Sequence, residues 1–162
     1  MRIVVMGPSG SGKSLVGAAL AARMRSRFVD GDDLHPRANV AKMAAGHPLT
    51  DADREPWLAA VAAVLAQETS MVVACSALRR VYRDGIRAGV GGVAFVELVV
   101  PEAQLRTRMG RRDHFMPASL LDSQLATLEP LATDEVGIRV ANDADLESVV
   151  SRISGLLTQS LR

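Results

Sequence analysis

The sequence predicts an α/β protein, a parallel sheet covered by helices on both faces. Three observations predict it. Short apolar runs alternate with longer helical patterns five times along the 162 residues. No tight-turn signal joins one run directly to the next, so the strands need helical crossovers. The first run ends in a glycine-rich turn that opens a helix, "RIVVM" followed by "GPSGSGKS".

The elements follow in order. "RIVVM" (2–6) is a buried strand, and "KSLVGAALAARM" (13–24) a helix with Leu15, Val16, Ala19, Leu20 and Met24 on one stripe. "RFVD" (27–30) is a short strand, and "NVAKMAAG" (39–46) a helix that Gly46 stops. The next helix has two possible starts. Thr50 with Asp53 three residues on forms a capping pattern, while Pro56 suits a first helical turn. "WLAAVAAVLAQE" (57–68) is its buried body. Then come strand 71–76, helix 79–89, strand 93–100, helices 101–112 and 117–129, strand 137–142 and an amphipathic helix 145–160. No repeat, low-complexity tract or linker divides the chain, which reads as a single domain over 1–162.

Composition excludes several classes. There are 19 basic and 18 acidic residues, net charge +1, which argues against a general nucleic-acid binder. The longest apolar run, Trp57 to Ala66, is far short of the roughly 20 residues of a membrane span. Cys75 is the one cysteine, so no internal disulfide forms. A cytoplasmic protein, with neither nucleic acid nor membrane as partner, is expected.

Gly7, Gly12, Lys13 and Ser14 satisfy G-x-x-x-x-G-K-[ST]. Glycines permit positive φ and a close backbone approach. Successive N–H groups then form an anion nest, and the helix start adds further unpaired N–H groups. Lys13 can reach the β- and γ-phosphates of ATP, and the Ser14 hydroxyl can ligate Mg²⁺. The nucleotide-binding set is therefore Gly7, Ser9, Gly10, Ser11, Gly12, Lys13, Ser14 and Leu15. "RVANDAD" (139–145) lacks the lysine of a guanine reader, and strand 71–76 lacks a terminal acidic pair. A small kinase remains.

The acceptor side follows the second strand, in "DGDDLHPRANVAKM" (30–43). Ligands of a parallel sheet bind beyond the carboxyl ends of its strands. Asp32 is the candidate to take the attacking hydroxyl's proton or hold Mg²⁺ through water, with Asp33 the second choice and a substrate contact. Helix capping is the competing role for these aspartates. His35 can hydrogen-bond a polyol. Arg54 or Arg79 can clamp a carboxylate with paired donors. Trp57 is core or pocket wall, and Cys75 a buried small residue rather than a nucleophile.

"RTRMGRRDHFMP" (106–117) holds Arg106, Arg108, Arg111 and Arg112 with a single acid. Cations of this kind stabilise charge on a transferring phosphoryl group. Arg108 and Arg112 are the catalytic candidates and Arg111 a nucleotide contact, in a lid at about 107–118. A solvated helix end is the alternative.

Four segments together resemble the gluconokinase family: "MGPSGSGKS", "DGDDLHPRANVAKMAAGHPLTDADREPWL", "ACSALRRVYRDGIR" and "RRDHFMPASLLDSQLATLEPL". They span most of positions 6–131. The resemblance implies phosphorylation of D-gluconate by ATP with Mg²⁺, giving 6-phospho-D-gluconate. It implies the P-loop kinase fold: three layers, a five-stranded parallel sheet of order 2-3-1-4-5 and a small arginine-rich lid. It also implies a homodimer. Leu15, where the family commonly has Thr, and Pro8 depart from the pattern. A kinase of another small acceptor, shikimate or a nucleoside monophosphate, is the nearest alternative. A nucleotide-binding module without catalysis is the other.

Overall fold

The computed structural model describes residues 1–111 and 119–160. Five strands form one parallel sheet: β1 (Arg2–Met6), β2 (Arg27–Asp30), β3 (Met71–Ala74), β4 (Ala94–Val99) and β5 (Gly137–Ala141). Their order is β2-β3-β1-β4-β5, as the sequence resemblance implies. Val4 of β1 pairs with Val73 of β3 and with Phe95 of β4, which fixes the central register.

Alternation along the strands divides the core in two. Ile3, Val5, Val72, Val96 and Val140 face helices α1 (Lys13–Met24) and α7 (Leu146–Ser160). Val4, Met6, Val73 and Phe95 face α3 (Asp51–Ala66) and α4 (Arg80–Val90). A strand buried on both faces reads as a continuous apolar run, which is why β1 and β3 were unambiguous.

Helix α3 starts at the first of its two possible positions. The Thr50 hydroxyl accepts from the Asp53 N–H at 3.1 Å, and the Asp53 carboxylate accepts from the Thr50 N–H at 2.7 Å. This reciprocal box satisfies two otherwise orphaned donors, and it outweighs Pro56, which sits inside the helix. Lys42 of α2 (Arg37–Ala44) joins the same carboxylate at 2.6 Å, tying α2 to α3.

One expectation needs correction. Leu15 lies outside the buried stripe of α1 and is 59% exposed. The buried face is Val16, Gly17, Leu20 and Ala21 instead, with Gly17 against the Phe28 ring. A short 3-10 helix, Gly31–Leu34, also follows β2, where the aspartate-rich run gives no helical periodicity. Its cap is the Asp30 carboxylate, which accepts from the Asp32 N–H at 3.0 Å.

Helices α5 (Glu102–Gly110) and α6 (Leu120–Thr127) complete the molecule. No helix among the described residues is long and apolar enough to cross a membrane.

One buried ion pair braces the start of α4 against the segment leading into β5. Arg83 and Glu135 side chains are both fully buried, and the guanidinium donates twice to the carboxylate, each at 2.7 Å. Arg83 also donates to the carbonyls of Ala77 and Glu129, both at 3.1 Å. Ala77 carries φ 42°, a left-handed conformation that a residue with a Cβ rarely adopts. The fold supplies the restraint that holds it.

Burial pushes the Glu135 carboxyl up, but donors from Arg83, Ala132 and Arg87 overcome it and hold the pKa at about 2, below the ordinary 4.5. The folded value is depressed, so this contribution is complete above about pH 4.5 and is lost as pH falls toward 2. Glu135→Ala should lower stability by about 3–5 kcal/mol in urea unfolding at pH 7, because Arg83 stays buried without its partner. Glu135→Gln should also flatten the loss of stability between pH 4.5 and 2 relative to the wild type.

Candidate active site

The turn Gly7–Ser14 leaves the central strand at the carboxyl edge of the sheet. Gly10 has φ 82° and Gly12 φ 89°, both left-handed. A Cβ on Gly12 would stand 2.6 Å from the Asn142 amide nitrogen, so this position takes glycine for two reasons. Side chains from three elements hold the turn's backbone. Arg108 of α5 donates to Gly10 O at 3.1 Å. Asn142, just past β5, donates to Ser11 O at 2.8 Å. Gln124 of α6 accepts from Ser9 N–H at 2.7 Å and donates to Ser9 Oγ at 3.2 Å.

Two loop carbonyls are thus turned toward protein donors. The first intrahelical bond of α1 runs from Val16 N–H to Gly12 O at 2.9 Å, so the N–H groups of Lys13 and Ser14 have no helical acceptor. Buried Lys13 and half-buried Ser14 stand at that helix start. Concave amides, a helix N-terminus and an ammonium group together fit a polyphosphate.

Beside the turn lies a cleft that brings together Ser9, Lys13, Asp32, His35, Arg54 and Gln124. Met43, Leu49 and Leu120 pack as one apolar cluster and line it, and Trp57 forms part of its wall. Asp32 reaches it from the 3-10 helix. Asp33, next in sequence, is exposed and is not among the lining residues.

His35 stacks on Trp57, with centroids 4.2 Å apart and planes at 15°, and Trp57 Nε1 donates to Gly31 O at 2.7 Å. Burial, then the positive charge of Arg54, pulls the His35 pKa down to about 4. The imidazole is therefore neutral at pH 7. Asn39 Nδ2 donates to Asp53 O at 2.8 Å and lies 3.5 Å from His35 Nδ1. An amide nitrogen only donates, so Nδ1 is the acceptor and Nε2 carries the proton. His35 then offers an N–H donor.

Arg54 lines both the cleft and an adjoining polar cavity, whereas Arg79 lines only the latter, with Asp51, Tyr82 and Glu129. Arg79 is held by Asp51 at 3.1 Å and Glu129 at 3.4 Å. Arg106 pairs with Glu102 and Asp122, at 2.6 and 2.5 Å. Arg111 is exposed at the end of α5. Arg112 and the rest of 112–118, which includes His114, Phe115 and Pro117, lie outside the described residues.

Sequence reasoning missed Gln124, although a signal for it exists. Leu120 and Leu121 are buried in α6, and Gln124 stands four and three residues on, so it shares their inward face. Tyr82 and Asn39 were also missed, since the segments that contain them do not show which of their residues reach the cleft.

A parallel sheet of this order, with a glycine-rich turn leading into a helix at the end of its central strand, defines the P-loop kinase class. A family model described as an AAA domain matches residues 3–131. The gluconokinase of Gluconobacter oxydans (strain 621H) is 46% identical over 156 residues, 93% of this chain and 88% of that protein. The thermoresistant gluconokinase of Escherichia coli (strain K12) is 43% identical, over 91% of this chain and 88% of that one. The crystal structure of a gluconokinase from Sinorhizobium meliloti 1021 matches with TM-score 0.89 and 47% identity, covering 99% of this chain and 93% of that chain. The chain belongs to the gluconokinase family.

Cys75 stands just past β3, fully buried, and burial pushes its thiol up to about 12. It should not react with an aromatic disulfide reagent at pH 8 in the folded chain and should titrate fully in denaturant. Rapid native-state modification, followed by absorbance, would remove it from the core.

Proposed function

We propose that the chain transfers the γ-phosphate of ATP to a primary hydroxyl of D-gluconate, giving ADP and 6-phospho-D-gluconate. The observation that carries this reading is Arg54. Its side chain is only 15% exposed, and among the described residues the carboxylate it pairs with, Asp51, stands 3.9 Å away. A largely buried cation with so weak a counter-charge, in a cleft that also holds Lys13 and Asp32, suits an acceptor that brings its own carboxylate. The relatives' names agree with a sugar acid as acceptor.

The loop amides and Lys13 hold the triphosphate, and Arg108 stands against the loop to answer charge on the transferring group. Asp32 orients the attacking hydroxyl and takes its proton. His35 donates from Nε2 to a hydroxyl oxygen of the polyol, and Arg54 fixes the carboxylate end. Among the described residues, no cluster of three or more His, Cys, Asp or Glu could hold a metal by itself. Mg²⁺ would therefore be held by the phosphates with Ser14, and by Asp32 through water. It would supply neutralisation of charge on the phosphates. The arginines of 107–118 belong to a lid over the phosphates in this reading, and the chain works as a single domain.

A coupled ADP-release assay tests the acceptor. Gluconate should support turnover, while shikimate and nucleoside monophosphates should not. Turnover with one of those and none with gluconate overturns the proposal, and ATP binding without any acceptor-dependent ADP release favours a non-catalytic module. In the same assay Asp32→Ala should lose about 10²–10⁴-fold in kcat while still binding ATP. Lys13→Ala should instead weaken ATP binding itself, read by nucleotide titration. An Asp32→Ala variant with near-normal kcat would move the base elsewhere, with Asp33 next in line.

A further inference from the structure

Tyr82 lies in the segment "ACSALRRVYRDGIR", which assigns it no chemistry, yet it sits behind Arg54. The Arg54 Nη1 donors are taken up by the protein: one distance is 2.6 Å to Leu49 O and the other 3.2 Å to the Tyr82 hydroxyl oxygen. Among the described residues Nε and Nη2 have no hydrogen-bond partner. The Tyr82 hydroxyl has one proton, and that proton goes to Asp51 Oδ1 at 2.5 Å. Its lone pairs are then left to accept from Arg54. The direction of this chain, Arg54 to Tyr82 to Asp51, is fixed by proton count. The Tyr82 ring adds a second hold, with the Arg54 guanidinium carbon 5.2 Å from its centroid and that of Arg79 at 5.6 Å.

We propose that Tyr82 is a positioning residue for the acceptor's carboxylate: its hydroxyl fixes one edge of Arg54, leaving the Nε and Nη2 donors for the ligand. The proposal rests on the reading of a sugar acid as acceptor and deepens it. Planar bidentate recognition requires the guanidinium to be held in one orientation, since a freely rotating fork loses paired donors. Asp51 contributes at a distance. It orients the phenol, and it also holds Arg79 outside the cleft at 3.1 Å, so one arginine rather than two faces the acceptor.

Tyr82→Phe tests this, because it keeps the ring and removes only the hydroxyl. Gluconate KM should rise about tenfold with kcat within twofold and ATP KM unchanged. The dissociation constant for gluconate, read from the fluorescence of Trp57, the sole tryptophan, should rise by the same factor. In an Arg54→Ala background the same substitution should have no further effect on gluconate binding. Three results overturn the proposal: an unchanged gluconate KM in Tyr82→Phe, an equal effect with Arg54 removed, or a parallel change in both substrates' KM and in kcat, which marks a merely structural residue. The wild type separates the two levels. If it neither phosphorylates nor binds gluconate, the proposed function falls and this inference with it. If it does both and Tyr82→Phe behaves as wild type, only the role of Tyr82 falls.

Discussion

The structure depends on a peptide loop whose carbonyls are held back by the rest of the protein. A glycine-rich turn has no side-chain packing to fix it, and its entropy favours many shapes. Here Arg108, Asn142 and Gln124 each reach it from a different element, at Gly10 O, Ser11 O and Ser9. Those elements lie far away in sequence and meet only because β1 is the central strand, with β4 and β5 to one side. The sheet order is thus part of the binding site. It carries the ends of the strands and α5 and α6 to one edge, where they impose a single conformation on a segment that could not impose one on itself.

The same edge shows how an acceptor cleft is made from separate pieces. Asp32 comes from a 3-10 helix that the Asp30 carboxylate caps. His35 comes from the following turn and is pinned by Trp57 and Asn39. Arg54 comes from α3, whose start is set by Thr50 and Asp53. Capping and function are therefore not competing explanations for the aspartates here. Asp30 and Asp53 cap helices, and by doing so they place Asp32 and Arg54 in the cleft.

Much of this was legible in the sequence because it rests on local rules. Runs such as "RIVVM" and "MVVA" can only be buried strands, and G-x-x-x-x-G-K-S has a specific geometric meaning. Arginines were harder. Arg54 and Arg79 both follow a turn and precede or open a helix, and nothing local distinguishes them. Their difference arises from Asp51 and Glu129, which engage Arg79 across the fold. Leu15 failed for a related reason: a stripe drawn over 100° of helix does not say which residue stands at its margin. Gln124 was visible by helical spacing, but Tyr82 was not, since its role is defined by one hydroxyl and two partners brought from α3.

Buried charge provides a more general criterion. Arg83 and Arg54 are both largely removed from water; Arg83 holds two backbone carbonyls and Arg54 one. Arg83 has a bidentate carboxylate, Glu135, that is as buried as itself. Every requirement of that cation is met within the chain, so it serves the fold and restrains Ala77. Among the described residues Arg54 has no such partner; Asp51 stands 3.9 Å away and is more tightly bound to Tyr82 and Arg79. Folding alone does not reward burying a guanidinium in that state, because the desolvation of the charge is left mostly uncompensated. A bound anion completes the balance. On the proposed reading the imbalance at Arg54 points outward to a ligand, whereas the balance at Arg83 points inward to the structure.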